Sequence, residues 1–397
     1  MRKFRGIIPK EKHLTKDMLR VIARVNPIKR ERPSPKQIPG YYEFVNSSKI
    51  ISGCRAMDNI PKELKAGNLD KPFIITQNDL NEKGILKYLL KILADFGINA
   101  RNILLCSGNG MMDEEEKAVS EFKSFSCDSI IAVGGAASFK LARAICSSYS
   151  KYPAGPGPIL FVAVPVLSAG LEIEGNPDII VLDPRFARDQ SPITMALCLT
   201  DAVCHAIETY TSPVRNPLSD AYAFASLGLF RDNIHKALKS GKDKKAGLSI
   251  LNAMLLSGLA FRNCFGNCRQ SLSHILAGVL EDSYGVSHQE AVAIILPHLM
   301  TQKTPEYEEY YAELLLPFAG PDIYAETYKY ERGRKFVQLV RNMVSDFHQM
   351  YGIPSGLSEI GVKRQDFDEI IERTLNHSGN QSGDLAEEIR NILNFAF

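Results

Sequence analysis

Between Tyr41 and Pro184 the chain alternates short apolar runs with amphipathic stretches and turns. Lys49-Ile50-Ile51-Ser52-Gly53 reads as a strand ending in a turn, and Pro72-Phe73-Ile74-Ile75-Thr76 as a buried strand. Further strands are predicted over 102–105, 129–133, 159–164 and 178–184, with helices over 85–96, 114–125 and from Phe139 through Ile145. Such alternation predicts a doubly wound α/β domain, a mostly parallel sheet covered on both faces. After Pro184 the strand period stops. Helices are predicted over 194–211, 217–238, 244–263, 267–280, 288–301, 307–316, 331–350, 365–375 and 383–395. The change places a boundary near 185–190, giving an α/β domain at 43–188 and an all-α domain at 189–397. Residues 1–42 read as an N-terminal arm with one early helix near 16–25, because Pro27, Pro33, Pro35 and Pro39 interrupt anything longer.

Composition narrows the class without naming it. A chain of 397 residues with net charge +2 and 45% hydrophobic residues has the balance of a globular protein and no electrostatic footprint for nucleic acid. The basic run Lys29-Arg30-Glu31-Arg32 is short and mixed in sign, as solvated segments are. No apolar run has the length to cross a bilayer; the longest, Ile159 to Leu167, suits one buried strand. Met1-Arg2-Lys3-Phe4-Arg5 lacks an apolar signal core, so a cytoplasmic protein without a membrane partner is expected. Of eight cysteines, Cys106, Cys146 and Cys198 lie in apolar stretches and read as reduced core residues. Cys264-x3-Cys268 reads as structural, for want of a second pair at zinc-site spacing.

The candidate chemistry starts at Asp201-Ala202-Val203-Cys204-His205. Positions i and i+4 share a helix face, so the carboxylate and the imidazole can point at one spot. Taken alone, such a pair is more often a helix-face hydrogen bond. If His274 and His288 converge on it, one carboxylate and three imidazoles suit Fe(II) or Zn(II), with room for a substrate oxygen. Separately, the strand 129–133 runs into Gly134-Gly135-Ala136-Ala137-Ser138 and then a helix. That arrangement aims backbone N–H groups at a phosphate, although two glycines after a strand also make an ordinary tight turn.

In order, the glycine turn, Pro177-Asp178 through Asp183-Pro184, Asp201-x3-His205-Ala206-Ile207-Glu208, and His274 and His288 before Leu296-Pro297-His298 resemble the iron-containing (group III) alcohol dehydrogenases. Lys49 to Gly53 resembles that family's first strand, and Tyr351-Gly352-Ile353-Pro354 through Val362 its late helical segment. The likeness covers about residues 43–397. It implies the dehydroquinate synthase-like fold, with a dinucleotide-binding α/β domain and a helical metal-binding domain. It further implies Fe(II) or Zn(II) on Asp201, His205, His274 and His288, and NAD(P)(H) at Gly53, Gln77, Gly134, Gly135, Ala136, Ala137 and Ser168. The substrate implied is a small alcohol or aldehyde and the assembly a homodimer, with no catalytic residue beyond the metal centre.

The chain also departs from the family pattern. Gly278 stands where many members place a proton-relaying histidine. Ala136-Ala137 and Lys140 replace a glycine-serine turn and its acidic residue, and Gln77 replaces the acidic residue that prefers the NAD ribose. The segment Val166 to Asn176 replaces a threonine-rich loop and hairpin. Two readings follow: a metal-dependent NAD(P)(H) oxidoreductase, or a family member that keeps the metal and has lost dinucleotide redox chemistry, leaving a lyase or a noncatalytic binding protein.

Overall fold

Each apolar run of the first half forms a strand: β1 (Lys49–Ser52), β2 (Pro72–Gln77), β3 (Asn102–Cys106), β4 (Ser129–Gly134), β5 (Leu160–Pro165) and β6 (Ile179–Leu182). The computed structural model describes residues 40–77, 80, 84–100, 102–106, 112–150, 159–166, 176–186, 190–240, 242–265 and 271–397. The early helix near 16–25 and almost all of the expected arm therefore lie outside the described residues. All strand pairs are parallel, in the order β1-β6-β5-β4-β2-β3. Strands β2, β4, β5 and β6 are buried almost throughout, which explains why they read as unbroken apolar runs and not as alternating ones.

Helices α1 (Ile60–Ala66), α2 (Ile85–Asp95), α3 (Met112–Ser124) and α4 (Ala136–Ser150) lie between the strands. The first was not expected; Pro61 occupies its opening turn, where the missing N–H costs nothing. The chain leaves β2 toward the outer strand β3 but leaves β4 in the opposite direction, toward β5. The carboxyl ends of β2 and β4 thus flank a topological switch point, where open α/β sheets take their ligands.

The second half is helical: α5 (Pro192–Thr211), α6 (Pro217–Ser240), α7 (Lys244–Phe265), α8 (Leu272–Tyr284), α9 (His288–Ala319), α10 (Pro321–Glu326), α11 (Arg332–Tyr351), α12 (Phe367–Ser378) and α13 (Gly383–Ala396). The helices expected at 288–301 and 307–316 are one, α9, running through Pro297 and Pro305. An interior proline costs about 3 kcal/mol in an isolated helix. Here Ile294, Ile295, Leu296, Leu299 and Met300 are buried, each contributing roughly 1.5–3 kcal/mol, and together they outweigh it. The Thr301 and Thr304 hydroxyls donate to the carbonyls of Pro297 and Met300, both at 2.7 Å, bonds that bend helices without ending them.

Helix α7 is long and apolar enough to cross a bilayer by length and composition, unlike any run singled out in the sequence, yet it packs against α5 and α6 as a core helix. Asn252 on α7 bonds the Ser52 hydroxyl (2.9 Å), and Asn263 takes both the N–H (2.6 Å) and the carbonyl (3.2 Å) of Val45. Pro39–Phe397 forms one compact unit, and a continuous apolar cluster links Phe73 of β2 to Ala396 of α13. No disulfide joins the described cysteines; Cys264 is buried, and Cys268 lies outside the described residues.

Candidate metal centre

Helix α5 is the axis of the helical half. Ser191 caps it, accepting from the Thr194 N–H at 3.1 Å, and every residue from Cys198 to Thr211 is buried. A buried helix is expected to be apolar all round. This one carries Asp201, His205 and Glu208 at i, i+4 and i+7, on a single face, and buried ionisable groups persist only where they are paired or bind an ion.

Two further helices bring the remaining imidazoles to that face. His274 enters on the first turn of α8. His288 is the first residue of α9, where Ser287 and Glu290 form a capping box that sets the start of the helix. Potential ligand atoms of Asp201, His205 and His274 all lie within 4.8 Å of one another. The His205 and His274 rings stack, with centroids 4.5 Å apart and planes at 17°. The His288 ring stands 5.2 Å from that of His274 and borders the tight group without joining it. Phe261 of α7 packs on His205 (4.4 Å) and His274 (4.7 Å), a wall that sequence reasoning missed.

The donor set fits a divalent cation. Asp201 Oδ1 and His274 Nε2 are buried atoms with no hydrogen bond, and each such group costs about 1–3 kcal/mol if left so. They stand 3.5 Å apart, too far for a good N–H···O bond. Two ligands bound at about 2.1 Å to one tetrahedral ion would be separated by about 3.4 Å.

Opposite charges dominate the electrostatics. Burial alone would raise the Asp201 pKa, but His205, His274 and His288 hold it well below the usual carboxylate range. Burial alone would lower that of His274, but Asp201 and Glu208 raise it to about 10. In the metal-free chain the two carboxylates therefore favour the protonated form of His274. Its stabilising effect is full below about 6.5 and is lost as pH rises through about 10. The melting temperature of metal-stripped protein is expected to fall across that window; a flat profile by calorimetry would remove the proton from the site.

On its far side His274 meets a second network. Its Nδ1 lies 3.1 Å from Glu208 Oε2, 2.9 Å from Ser271 Oγ and 3.0 Å from Ser273 Oγ. The two hydroxyls donate to Glu208, at 2.7 and 2.6 Å. Burial would raise the Glu208 pKa, but bonds from His274, Ser273 and Ser271 hold it below the ordinary value. Ser271 occupies the cap position of α8 without capping it. Burial and Glu208 push the Cys204 thiol well up, so it stays protonated, 3.6 Å from the carboxylate. The only sequence signal for this network was the place of Glu208 on the face shared with Asp201 and His205.

The expected nucleotide residues line the carboxyl edge of the sheet. Gly53 (φ +153°) follows β1, and Gln77 ends β2 beside Gly134 (φ +147°), which ends β4. The Gly135 carbonyl accepts from the Phe139 N–H at 3.1 Å, and Ala136 and Ala137 open α4, so its free N–H groups face the switch point. Lys140 pairs with Glu115 at 3.5 Å, both side chains partly exposed. Ser168 lies outside the described residues. At Gly278, a Cβ would meet nothing within 4 Å, so the position is open.

Residues 47–183 match the family model described as iron-containing alcohol dehydrogenase, and residues 195–397 its companion, the C-terminal domain of the Fe-containing alcohol dehydrogenase family. The chain is 23% identical over 389 residues to the NAD-dependent methanol dehydrogenase of Bacillus methanolicus, covering 88% of this chain and 99% of that protein. It is 25% identical over 359 residues to the 4-hydroxybutyrate dehydrogenase of Cupriavidus necator, covering 81% and 90%. A solved 1,3-propanediol oxidoreductase superposes with a TM-score of 0.78 at 21% identity, over 90% of this chain and all of that one. With family models matching on both sides of the helix that carries Asp201 and on that helix itself, the chain belongs to the iron-containing alcohol dehydrogenase family.

Proposed function

We propose that the protein transfers hydride between NAD(P)(H) and a small alcohol or aldehyde, with the nucleotide on the sheet half (43–188) and the metal on the helical half (189–397). The observation that carries this reading is the buried carboxylate–imidazole cluster with two unsatisfied atoms facing each other across 3.5 Å. Iron(II) or zinc(II) bound by Asp201, His205, His274 and His288 supplies Lewis acidity toward the substrate oxygen, and the nicotinamide supplies the hydride. Asp201 offsets cationic charge in a buried place, and Phe261 keeps water off the adjoining faces of His205 and His274. Gly278 carries no acid, so the substrate proton exchanges with solvent or a cofactor hydroxyl.

The pairing of Lys140 with Glu115 beside an alanine-bearing phosphate turn favours a second reading, metal binding without dinucleotide redox. Titration of metal-loaded protein with NADH and NADPH, followed by nucleotide fluorescence, separates the two. Binding of either supports hydride transfer; no binding at millimolar concentration removes it. Gln77 offers the ribose no negative charge, so Gln77→Asp is expected to shift the NADH:NADPH affinity ratio toward NADH by roughly tenfold. An unmoved ratio would take Gln77 out of the ribose site. A cytoplasmic homodimer completes the proposal; the dimer is checked by light scattering.

A further inference from the structure

We infer that Glu208, with Ser271 and Ser273, is the positioning group of the metal centre: it holds His274 with its hydrogen on Nδ1, leaving Nε2 to face Asp201 and the cation. The hydroxyl directions carry the argument. Each serine has one hydrogen, and the short contacts commit both to Glu208, at 2.7 Å from Ser271 and 2.6 Å from Ser273. Their oxygens therefore meet His274 Nδ1, at 2.9 and 3.0 Å, with lone pairs. The third neighbour, Glu208 Oε2 at 3.1 Å, is also an acceptor. With three acceptors around it, Nδ1 must carry the hydrogen.

Helix α5 thus supplies two ligands and also the carboxylate that orients a third, on α8. His288 has a weaker counterpart: its Nδ1 is 3.7 Å from Glu281, whose side chain is half exposed. A carboxylate behind a metal-bound histidine fixes the ring's orientation and raises its basicity. The inference rests on the proposed metal site.

The test compares wild type with Glu208→Gln, which keeps the volume and loses the charge. Expected are a 10–100-fold faster loss of Zn(II) to a chelator and a shifted visible spectrum of the Co(II)-substituted protein. In Zn(II)-loaded wild type, ¹⁵N NMR of the His274 ring should report Nδ1–H. A variant that melts lower but keeps the wild-type zinc loss rate and cobalt spectrum would show a merely structural residue and overturn the inference. So would an Nε2–H tautomer in wild type, a measurement that stands even if the variant does not fold. Wild type that takes up no zinc would overturn the proposed site as well; wild type with one zinc and an indistinguishable variant overturns this inference alone.

Discussion

Asp201→Ala protein is expected to carry less than roughly a tenth of the wild-type metal and to lose more than about 100-fold in kcat/KM. Loss of a group behind a ligand already costs about 10–100-fold in metal affinity, and removal of a ligand itself exceeds that. Asp201 is also the sole carboxylate in the tight ligand group, so its loss leaves imidazoles to face a dication unaided. The fold should survive with a lower melting temperature: alanine is the best helix former and Asp201 Oδ1 has no hydrogen bond to lose, but the buried His274 loses one of the two carboxylates that favour its charged form. Elemental analysis decides the matter: unchanged metal stoichiometry in a folded variant takes Asp201 out of the centre.

The second large effect belongs to Gly134→Ala. With φ at +147°, Gly134 holds a backbone conformation that L side chains rarely adopt. A Cβ there would stand 2.7 Å from Ser138 Oγ and 3.2 Å from Gln77 Oε1. Ser138 is fully buried in the first turn of α4, and its hydroxyl has little room to yield. Strain of this kind costs about 1–3 kcal/mol, which lowers the melting temperature where the turn keeps its shape; where the turn relaxes free of nucleotide and is forced back on binding, the same cost weakens nucleotide affinity by up to roughly 150-fold. Adding Ser138→Ala removes the close contact but leaves the φ strain, and should restore part of the loss. If Gly134→Ala melts as wild type does and binds NADH and NADPH equally well, the turn after β4 carries neither cost.

The sheet was legible because both of its faces are covered: Phe73-Ile74-Ile75 and Ser129 to Val133 leave little to choose but buried strands. The D-x3-H spacing was legible because a helix makes neighbours of i and i+4. Convergence of residues almost ninety positions apart was another matter. It depends on how α8 and α9 are placed around α5, which spacing cannot encode; the resemblance implied all four residues, and the structure brings Asp201, His205 and His274 into the tight group while His288 borders it. The break expected between 301 and 307 is absent because burial further along α9, at Tyr311, Leu314 and Leu315, carries the helix through Pro305, which only the folded chain reveals. Glu208 could be placed on the shared face of α5, but not its partners: its donors sit on Ser271 and Ser273, more than sixty positions away.

The uncapped start of α8 leaves one stabilising contact unmade. A helix beginning with a serine that gives its hydroxyl elsewhere forgoes about 1 kcal/mol, which would tempt any effort at consensus or computational stabilisation. Ser271→Asp, the obvious repair, would set a second carboxylate against Glu208 and spoil the acceptor pattern around His274. On the inferred role of Ser271, capping α8 and supporting His274 therefore compete for one hydroxyl.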